Sequence, residues 1–387
     1  MPVEGGRRVG AYGLWAAGRR SIGWVAGAFV AVLVVFRLVV LVRDQRGDLA
    51  FDFRQFWHGA RDVVNGVSPY PSAELLATAG DYLGSVGIQE VFRFPYPAGA
   101  AVALSPLGLL GFNTAAVVWS CLLVACTLGA LRILGVRDWR VYAVALTSVP
   151  VLSAVYLGTL TPVLLLLAAV VWHWRDHRLV AGSALGLAIC LKLFLWPLAV
   201  WLVATRRYVA AAIAAAVATA ATFAAWAAIG FAGLAEYPDL VRRLTDVVAD
   251  RGYSLVAFGV ELGLPVGVAE ALPWVVGLGM LAAVFVAVRR GRSEEMSYSL
   301  AVVAAIALTP IVWHHYFALL VVPLAFARPR ISWAWGLLWV FWLVPAQENQ
   351  GGLWRIVLAY VLVGVALAIT AGVRLPRRLS PARAAAR

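Results

Sequence analysis

Long apolar runs, separated by short polar loops, fill most of this 387-residue chain. The runs lie at about 23–43, 97–112, 113–135, 140–158, 160–174, 178–206, 208–231, 273–290, 297–312, 314–327, 331–347 and 353–373. A helix needs ~20 apolar residues to cross a bilayer, and several of these runs are shorter than that. We therefore predict an all-α polytopic membrane protein with about 12 transmembrane segments, some of them tilted, broken or re-entrant.

Composition agrees with this prediction, since hydrophobic residues make up 63% of the chain and charged residues 13%. Soluble domains are roughly half apolar and about a quarter charged. The net charge of +13 comes from arginines in short loops and at the two ends. That distribution suits contact with anionic lipid and provides no basic domain for nucleic acid. We predict basic cytoplasmic tails at 1–22 and 374–387 around one membrane-embedded domain at 23–373.

Two longer polar loops, at 44–96 and 232–272, hold most of the 19 acidic residues. If the N-terminus lies inside the cell, the alternating segments place both loops outside. Most arginine-rich loops are then cytoplasmic, as the positive-inside rule requires: 206–207, 289–292 and 328–330. The loops around Arg137 and Arg175 fall on the outer side, against the rule. We expect a plasma-membrane protein whose site faces the extracytoplasmic side.

Asp52 stands soon after the first apolar run, so its carboxylate is expected at the membrane surface. A carboxylate that is partly out of water and close to arginines can serve as a general base. The alternative is a solvated loop aspartate. If this stretch is helical, Arg54, His58 and Arg61 share a face suited to a phosphate or diphosphate. The alternative there is a surface helix that pairs arginine with Asp62 and with lipid phosphates.

Four further residues are candidates for contact with substrate. Arg93, where the chain re-enters the membrane, either reaches a lipid-linked phosphate or snorkels to the interface. Lys192 is the only lysine and lies in an apolar run, which indicates contact with a phosphate or carboxylate. The alternative is snorkelling at a helix break near Pro197. One of His314 and His315 is expected to contact the substrate phosphate or the catalytic carboxylate, unless it holds a backbone partner at the interface.

The sequence has no Gly-rich phosphate loop, no GxSxG motif and no HExxH motif. Cys121, Cys126 and Cys190 lie in apolar runs without a CxxC pair, so we predict neither a disulfide framework nor a metal site. We expect no cofactor, and the cytoplasmic loops are too short for a nucleotide-sugar domain. A transporter or lipid flippase, and a scaffold subunit of an envelope-assembly complex, are the alternatives to an enzyme.

Several short motifs follow one another along nearly the whole chain. They are Asp52 with Gly66-Val67-Ser68-Pro69-Tyr70, Phe94-Pro95-Tyr96-Pro97, Ser105-Pro106-Leu107, Trp119, Ala181-Gly182 with Lys192, Tyr253-Ser254-Leu255 and Trp313-His314-His315-Tyr316. In the order and spacing of these motifs the chain resembles glycosyltransferase family 87, a membrane family of the GT-C superfamily. Two departures are Thr159, where the family has a glutamine, and Leu193, where it usually has a proline.

The resemblance implies an inverting glycosyltransferase that takes a sugar from a polyprenyl-phosphate donor. The acceptor would be a hydroxyl of a lipid-linked glycan, of phosphatidylinositol mannoside or lipoglycan type. By analogy Asp52 takes the acceptor proton, and cations stabilise the departing polyprenyl phosphate. Candidates for these cations are Arg54, Arg93, Lys192 and His315. The expected activity is that of an α-mannosyltransferase, and a polyprenyl-phosphate arabinofuranosyltransferase is the alternative within the family.

Overall fold

The computed structural model describes residues 50–71, 93–343 and 352–372. In these ranges every regular element is an α-helix or a short 3-10 helix, as the apolar pattern predicts. All of them belong to one structural unit, which begins at Ala50. Both predicted tails, the first apolar run and much of the first polar loop lie outside the described residues.

Among the described residues, the first half of this unit contains nine helices. Their bounds are α1 Phe51–Val64, α2 Ala98–Gly108, α3 Phe112–Ile133, α4 Trp139–Leu146, α5 Val149–Leu157, α6 Thr161–His173, α7 Arg178–Leu191, α8 Pro197–Ala204 and α9 Tyr208–Ala228. Three of them, α5, α6 and α8, have a proline in the first turn. Proline is tolerated there because the N–H groups of the first turn have no partner within the helix.

The described part of the second half contains eight helices and three 3-10 segments. Ser254 and Ser293 cap two of the helices, because each side-chain oxygen accepts the backbone N–H of the third residue after it. The bounds are α10 Tyr237–Val247, α11 Leu255–Glu261, α12 Val266–Ala269, α13 Ala271–Arg289, α14 Glu294–Ala307, α15 Val321–Ala327, α16 Leu337–Val340 and α17 Leu353–Thr370, with 3-10 turns at His314–Leu320, Trp333–Gly336 and Phe341–Leu343.

Among the described residues, four helical stretches are long and apolar enough to cross a bilayer: Phe112–Ile133, Tyr208–Ala228, Val266–Arg289 and Leu353–Thr370. The count rises to five if α4 and α5, which meet at 61°, form one broken span. Five further apolar helical stretches in the described ranges are shorter, with 10–17 residues. The structure therefore supports a helical membrane protein, whereas the expected number of about 12 spans is not confirmed.

The apolar run at 178–206 forms a hairpin instead of a single span. α7 ends just before Lys192, where the chain is extended with φ −158° and ψ 121°, and α8 starts at Pro197. Proline favours this break because it cannot continue a helix without losing a backbone hydrogen bond. Asp176 precedes α7 and Arg207 follows α8. The Arg207 guanidinium donates to Asp176 Oδ1 at 2.8 Å, so the start of α7 and the end of α8 lie together. Lys192 therefore lies at the hairpin tip.

Polar contacts bring the arginine-rich loops together at one end of the unit, here called the arginine-rich end. Arg175 and Arg207 both donate to Glu294, at 2.7 and 2.9 Å. The Ile331 N–H donates to Asp138 Oδ2 at 3.0 Å, so the loop after α3 lies beside the loop after α15.

A ring contact between Trp172 and Phe326, with centroids 4.5 Å apart, joins these two groups of loops. The expectation that the loops around Arg137 and Arg175 lie opposite the other arginine-rich loops is therefore wrong. It assumed that the run containing α7 and α8 crosses the unit, whereas the hairpin returns to the side from which it starts.

α1 and α2 pack side by side near the first residues of α3, whereas the arginine-rich end lies near its last residues. Gly108 of α2 lies so close to α1 that a Cβ there would be 2.7 Å from the Ala60 carbonyl carbon. Phe112, at the start of α3, contacts Phe53 with ring centroids 6.0 Å apart. α3 has 22 residues. A helix of that length spans about 33 Å, so the α1–α2 pair and the arginine-rich end lie on opposite sides of the unit.

We predict that the arginine-rich loops face the same side of the membrane. In a Cys121→Ser background, Arg137→Cys, Arg178→Cys and Arg290→Cys should react with a membrane-impermeant maleimide from one side. Asn65→Cys, after α1, should react from the other side, and the background protein should stay unlabelled because its remaining cysteines are buried. Labelling of Arg137→Cys and Arg290→Cys from opposite sides would contradict this arrangement.

Candidate active site

α1 has an inner and an outer face, and Asp52 lies on the inner one. Phe53, Phe56 and Gly59 are buried against the rest of the unit. Helical periodicity places Asp52 on the side of Phe56 and Gly59. Gly59 permits close packing, because a Cβ there would lie 2.5 Å from the ring of Phe94. Asp52 is thereby directed toward the segment that precedes α2.

The Asp52 carboxylate faces Tyr96 and Lys192. Tyr96 Oη donates to Asp52 Oδ2 at 3.4 Å, a long hydrogen bond. Burial raises the pKa of Asp52 to about 6, and the Lys192 charge and the Tyr96 hydrogen bond oppose this rise. Such a carboxylate is mostly ionised at neutral pH, yet it is a stronger base than a solvated aspartate, as general-base catalysis requires.

Lys192 reaches this site from the hairpin tip. Its Nζ donates to Tyr316 Oη at 2.6 Å and lies 4.3 Å from the Tyr316 ring centroid and 5.6 Å from that of Tyr96. The ion pairs of the described ranges are all formed by arginines, so no described carboxylate makes a salt bridge with Lys192. An ammonium group has three donors, and Lys192 therefore retains the capacity to bind an anion.

The two adjacent histidines have different surroundings. His314 Nε2 and Tyr253 Oη are 2.8 Å apart, and the two rings pack at 4.7 Å, so His314 already has a protein partner. His315 stacks on Tyr316 at 4.8 Å. It is 3% exposed, and its Nδ1 is a buried atom without a hydrogen-bond partner among the described residues. His315 is thus the histidine better placed to contact a ligand near Lys192.

The remaining candidates form an exposed basic surface on the outer side of α1. Arg54 and Arg61 are exposed and lie over the rings of Phe112 and Trp57, at 5.4 and 5.0 Å. The structure therefore separates these two arginines from the Asp52 site, because they are on the opposite face of the helix.

His58 and Arg93 belong to the same outer surface. Arg93 makes an exposed ion pair with Asp62 at 3.1 Å. Partial burial, followed by the charges of Arg93, Arg54 and Arg61, lowers the pKa of His58. Four of the predicted substrate contacts thus gather around one patch, and this patch is distinct from the Asp52 site.

Tyr96 and Tyr316 are site residues to which the sequence assigned no role. Tyr96 contacts Asp52, and Tyr316 holds Lys192. Both lie in motifs that the sequence analysis singled out, Phe94-Pro95-Tyr96-Pro97 and Trp313-His314-His315-Tyr316. A hydroxyl group within each of these motifs could have marked its tyrosine as a candidate. The motifs alone, however, do not show in which direction the side chains point.

In the described ranges, no group of three or more His, Cys, Asp and Glu residues could hold a metal ion.

A helical membrane protein with a partly buried carboxylate facing a lysine suits an enzyme that acts on a membrane-borne substrate. Residues 94–323 match the sequence model of Glycosyltransferase family 87. The chain belongs to this family, which confirms the resemblance seen in its motifs, and it is a glycosyltransferase that uses a sugar donor and an acceptor. Comparison with curated proteins and with solved structures gives no match.

The matched region contains one side of the site only. Lys192, His314 and His315 lie inside it, whereas Asp52 precedes its first residue, as do all four residues of the outer surface. The case for Asp52 therefore depends on its position opposite matched residues.

Gly158 offers a test of how α1 is held. Gly158 has φ +75°, and a Cβ there would lie 2.5 Å from the Phe53 Cβ, beside Asp52. Gly135 has φ +89°, and no atom of the described residues lies within 4 Å of an added Cβ. We predict that Gly135→Ala lowers the free energy of unfolding by about 1–2 kcal/mol through backbone strain alone. Gly158→Ala should lower it further and also slow sugar transfer, because Phe53 must move.

Thermal unfolding in detergent and the initial rate of transfer measure these two effects. Equal losses in both variants would show that the contact of Gly158 with α1 does not position Asp52.

Proposed function

We propose that this chain is an inverting glycosyltransferase that moves mannose from a polyprenyl-phosphate donor to a hydroxyl of a glycolipid or lipoglycan acceptor. The observation that carries this proposal is that Asp52 and Lys192 both lie against Tyr96 in an apolar unit. A base and a cation that face each other can act on the two ends of a single displacement.

Asp52 is the proposed general base. Its carboxylate is partly buried, holds its proton more readily than a solvated aspartate, and accepts from Tyr96. In the transfer it removes the proton of the acceptor hydroxyl, whose oxygen then attacks the anomeric carbon. The bond between that carbon and the phosphate oxygen breaks, so the sugar changes configuration from β in the donor to α in the product.

Lys192 is the proposed cation for the departing phosphate. Negative charge grows on this phosphate as the bond breaks, and a fixed cation in an apolar site stabilises it strongly. Tyr316 holds the Lys192 ammonium group in place, so little reorganisation is needed during the reaction. The buried Nδ1 of His315, which has no hydrogen-bond partner in the described part of the chain, is proposed to bind the same phosphate.

The outer surface formed by Arg54, His58, Arg61 and Arg93 is proposed to hold phosphate groups of lipid substrates or of the membrane. Arginine suits this role because its planar guanidinium can bind phosphate through two hydrogen bonds. His314, which is paired with Tyr253, is proposed to support its neighbour His315 rather than to contact the donor first.

The distribution of charge supports an orientation with the site outside the cell. The arginine-rich end gathers loops that the positive-inside rule places in the cytoplasm, including those that the sequence had left on the outer side. α1 lies at the opposite end, so Asp52 would face the extracytoplasmic side of the plasma membrane. A polyprenyl-phosphate sugar suits that side, because the bilayer carries it and it needs no soluble nucleotide.

We predict that Asp52→Asn abolishes most of the transfer without unfolding the protein. Loss of a general base lowers kcat by about 10²–10⁴-fold. The assay uses purified protein, polyprenyl-phosphate-mannose and a glycolipid extract, with polyprenyl-phosphate-arabinose as a second donor.

Asp62→Asn is the matched control, since it removes a carboxylate from the outer face of the same helix. It should lose far less activity than Asp52→Asn, because it removes only the exposed ion pair with Arg93. Full activity of Asp52→Asn with either donor would exclude Asp52 as the base.

We predict that kcat/KM falls as the pH drops through about 6, because the base must be ionised and the pKa of Asp52 is about 6. Tyr96→Phe removes a hydrogen bond that stabilises the ionised carboxylate. The acidic limb of its pH–rate profile should therefore move to higher pH, with the plateau rate less affected. If the acidic limb of Tyr96→Phe stays in place or moves to lower pH, the hydrogen bond from Tyr96 to Asp52 does not lower the pKa of the base.

A further inference from the structure

A small cavity of about 100 Å³ adjoins Lys192 on the surface of the unit. It lies where two helices stop: α7 ends before Lys192, and α14 ends before Leu308 and Thr309. The lining includes these three residues with Leu193 and Phe194. Two chain breaks at the same place open a cleft that regular helices would have closed.

The lining is apolar apart from Lys192 and Thr309. Thr309 Oγ1 already donates to the Ala305 carbonyl at 2.8 Å, so it is occupied within its own helix turn. Leu193 stands at the mouth with 70% of its surface exposed, while Leu308 is 8% exposed and forms the inner wall. The cavity thus combines one cationic residue with an apolar wall and an apolar mouth.

The surface beside the mouth is apolar as well. Gly277 of α13 packs directly against the Leu308 side chain. Trp274 and Leu278 lie within one helical turn of Gly277, about 60° and 100° around α13 from it, and are exposed by 56% and 53%. An apolar chain that leaves the cavity past Leu193 would therefore continue over a surface suited to lipid.

Lys192 belongs both to this cavity and to the site around Asp52 and Tyr96. We propose that the cavity holds the first isoprene units of the lipid that carries the sugar, with its phosphate on Lys192 and the rest of its chain leaving past Leu193 into the bilayer. This inference rests on the proposed function. It adds the place and the direction from which the donor lipid enters.

Charge and size both favour a prenyl phosphate as the occupant. The Lys192 ammonium group complements a phosphate, and the apolar wall complements the hydrocarbon attached to it. Pockets that enclose a drug-sized ligand have about 300–1,000 Å³, so this smaller cavity holds only the part of the chain next to the phosphate. A sugar nucleotide would bring a polar ribose and base against the apolar wall without hydrogen-bond partners.

Photolabelling of the purified full-length protein tests the proposal without requiring turnover. The probe is farnesyl phosphate with a diazirine on its first isoprene unit. We expect the label on peptides that contain Leu193 to Trp196 and Ala305 to Pro310. Unlabelled farnesyl phosphate should compete for this labelling, and farnesol should compete much less because it lacks the phosphate. Labelling confined to the outer arginine surface, or equal competition by farnesol, would overturn the proposal.

Two variants sharpen this experiment. Thr309→Trp fills the cavity, and Leu193→Gln places a polar group at its mouth. Each should reduce labelling by about tenfold, the loss expected when roughly one or two buried methylene groups are excluded from an apolar site. Leu122→Gln is the matched control, since Leu122 is an exposed leucine of α3 on another part of the surface. It should label like the unsubstituted protein.

The unsubstituted protein decides the outcome even if a variant does not fold, because its labelled peptides are mapped directly. Full labelling in a folded Thr309→Trp protein would overturn the proposal. Sugar transfer with labelling elsewhere would reject the cavity and keep the proposed function. Labelling in the cavity without transfer from either sugar donor would reject the proposed function and leave a prenyl-phosphate site.

Discussion

The hydrogen bond between Lys192 and Tyr316 holds a charged group inside a unit that is otherwise mostly apolar. Burying an ammonium group in such surroundings costs free energy unless its N–H groups donate hydrogen bonds and its positive charge is balanced. The Tyr316 hydroxyl and the ring faces of Tyr96 and Tyr316 offset part of this cost. An anionic ligand would offset the rest. The hairpin break at Lys192, the 3-10 turn that carries Tyr316 and the close approach of Tyr96 all converge on this one group.

A second constraint is the two-faced packing of α1. Its glycine and phenylalanine face fits tightly against Phe94, which directs Asp52 inward. The same fit forces Arg54 and Arg61 outward, where their guanidinium groups lie on aromatic rings. One helix thus gives its carboxylate a partly buried environment and keeps its arginines exposed. A carboxylate beside those arginines would have a lower pKa and would be a weaker base.

The hairpin also explains the distribution of charge along the chain. Because α7 and α8 return to their starting side, the loops on both sides of them lie together at the arginine-rich end. Asp176 and Glu294, two of the carboxylates there, pair with these arginines at the end away from Lys192. Among the described residues, Lys192 is therefore the cation whose charge acts on Asp52.

The sequence by itself determined the helical class, the membrane character and the family, because apolar runs and ordered motifs are local properties of a chain. It also singled out Asp52, Lys192 and the histidine pair, since charged residues beside or within apolar runs stand out. Only the tertiary structure decided which run turns back, which histidine is paired and which face of α1 is buried. Those outcomes depend on contacts between residues far apart in the chain, such as Arg207 with Asp176 and Tyr253 with His314, and helical periodicity alone cannot choose among them.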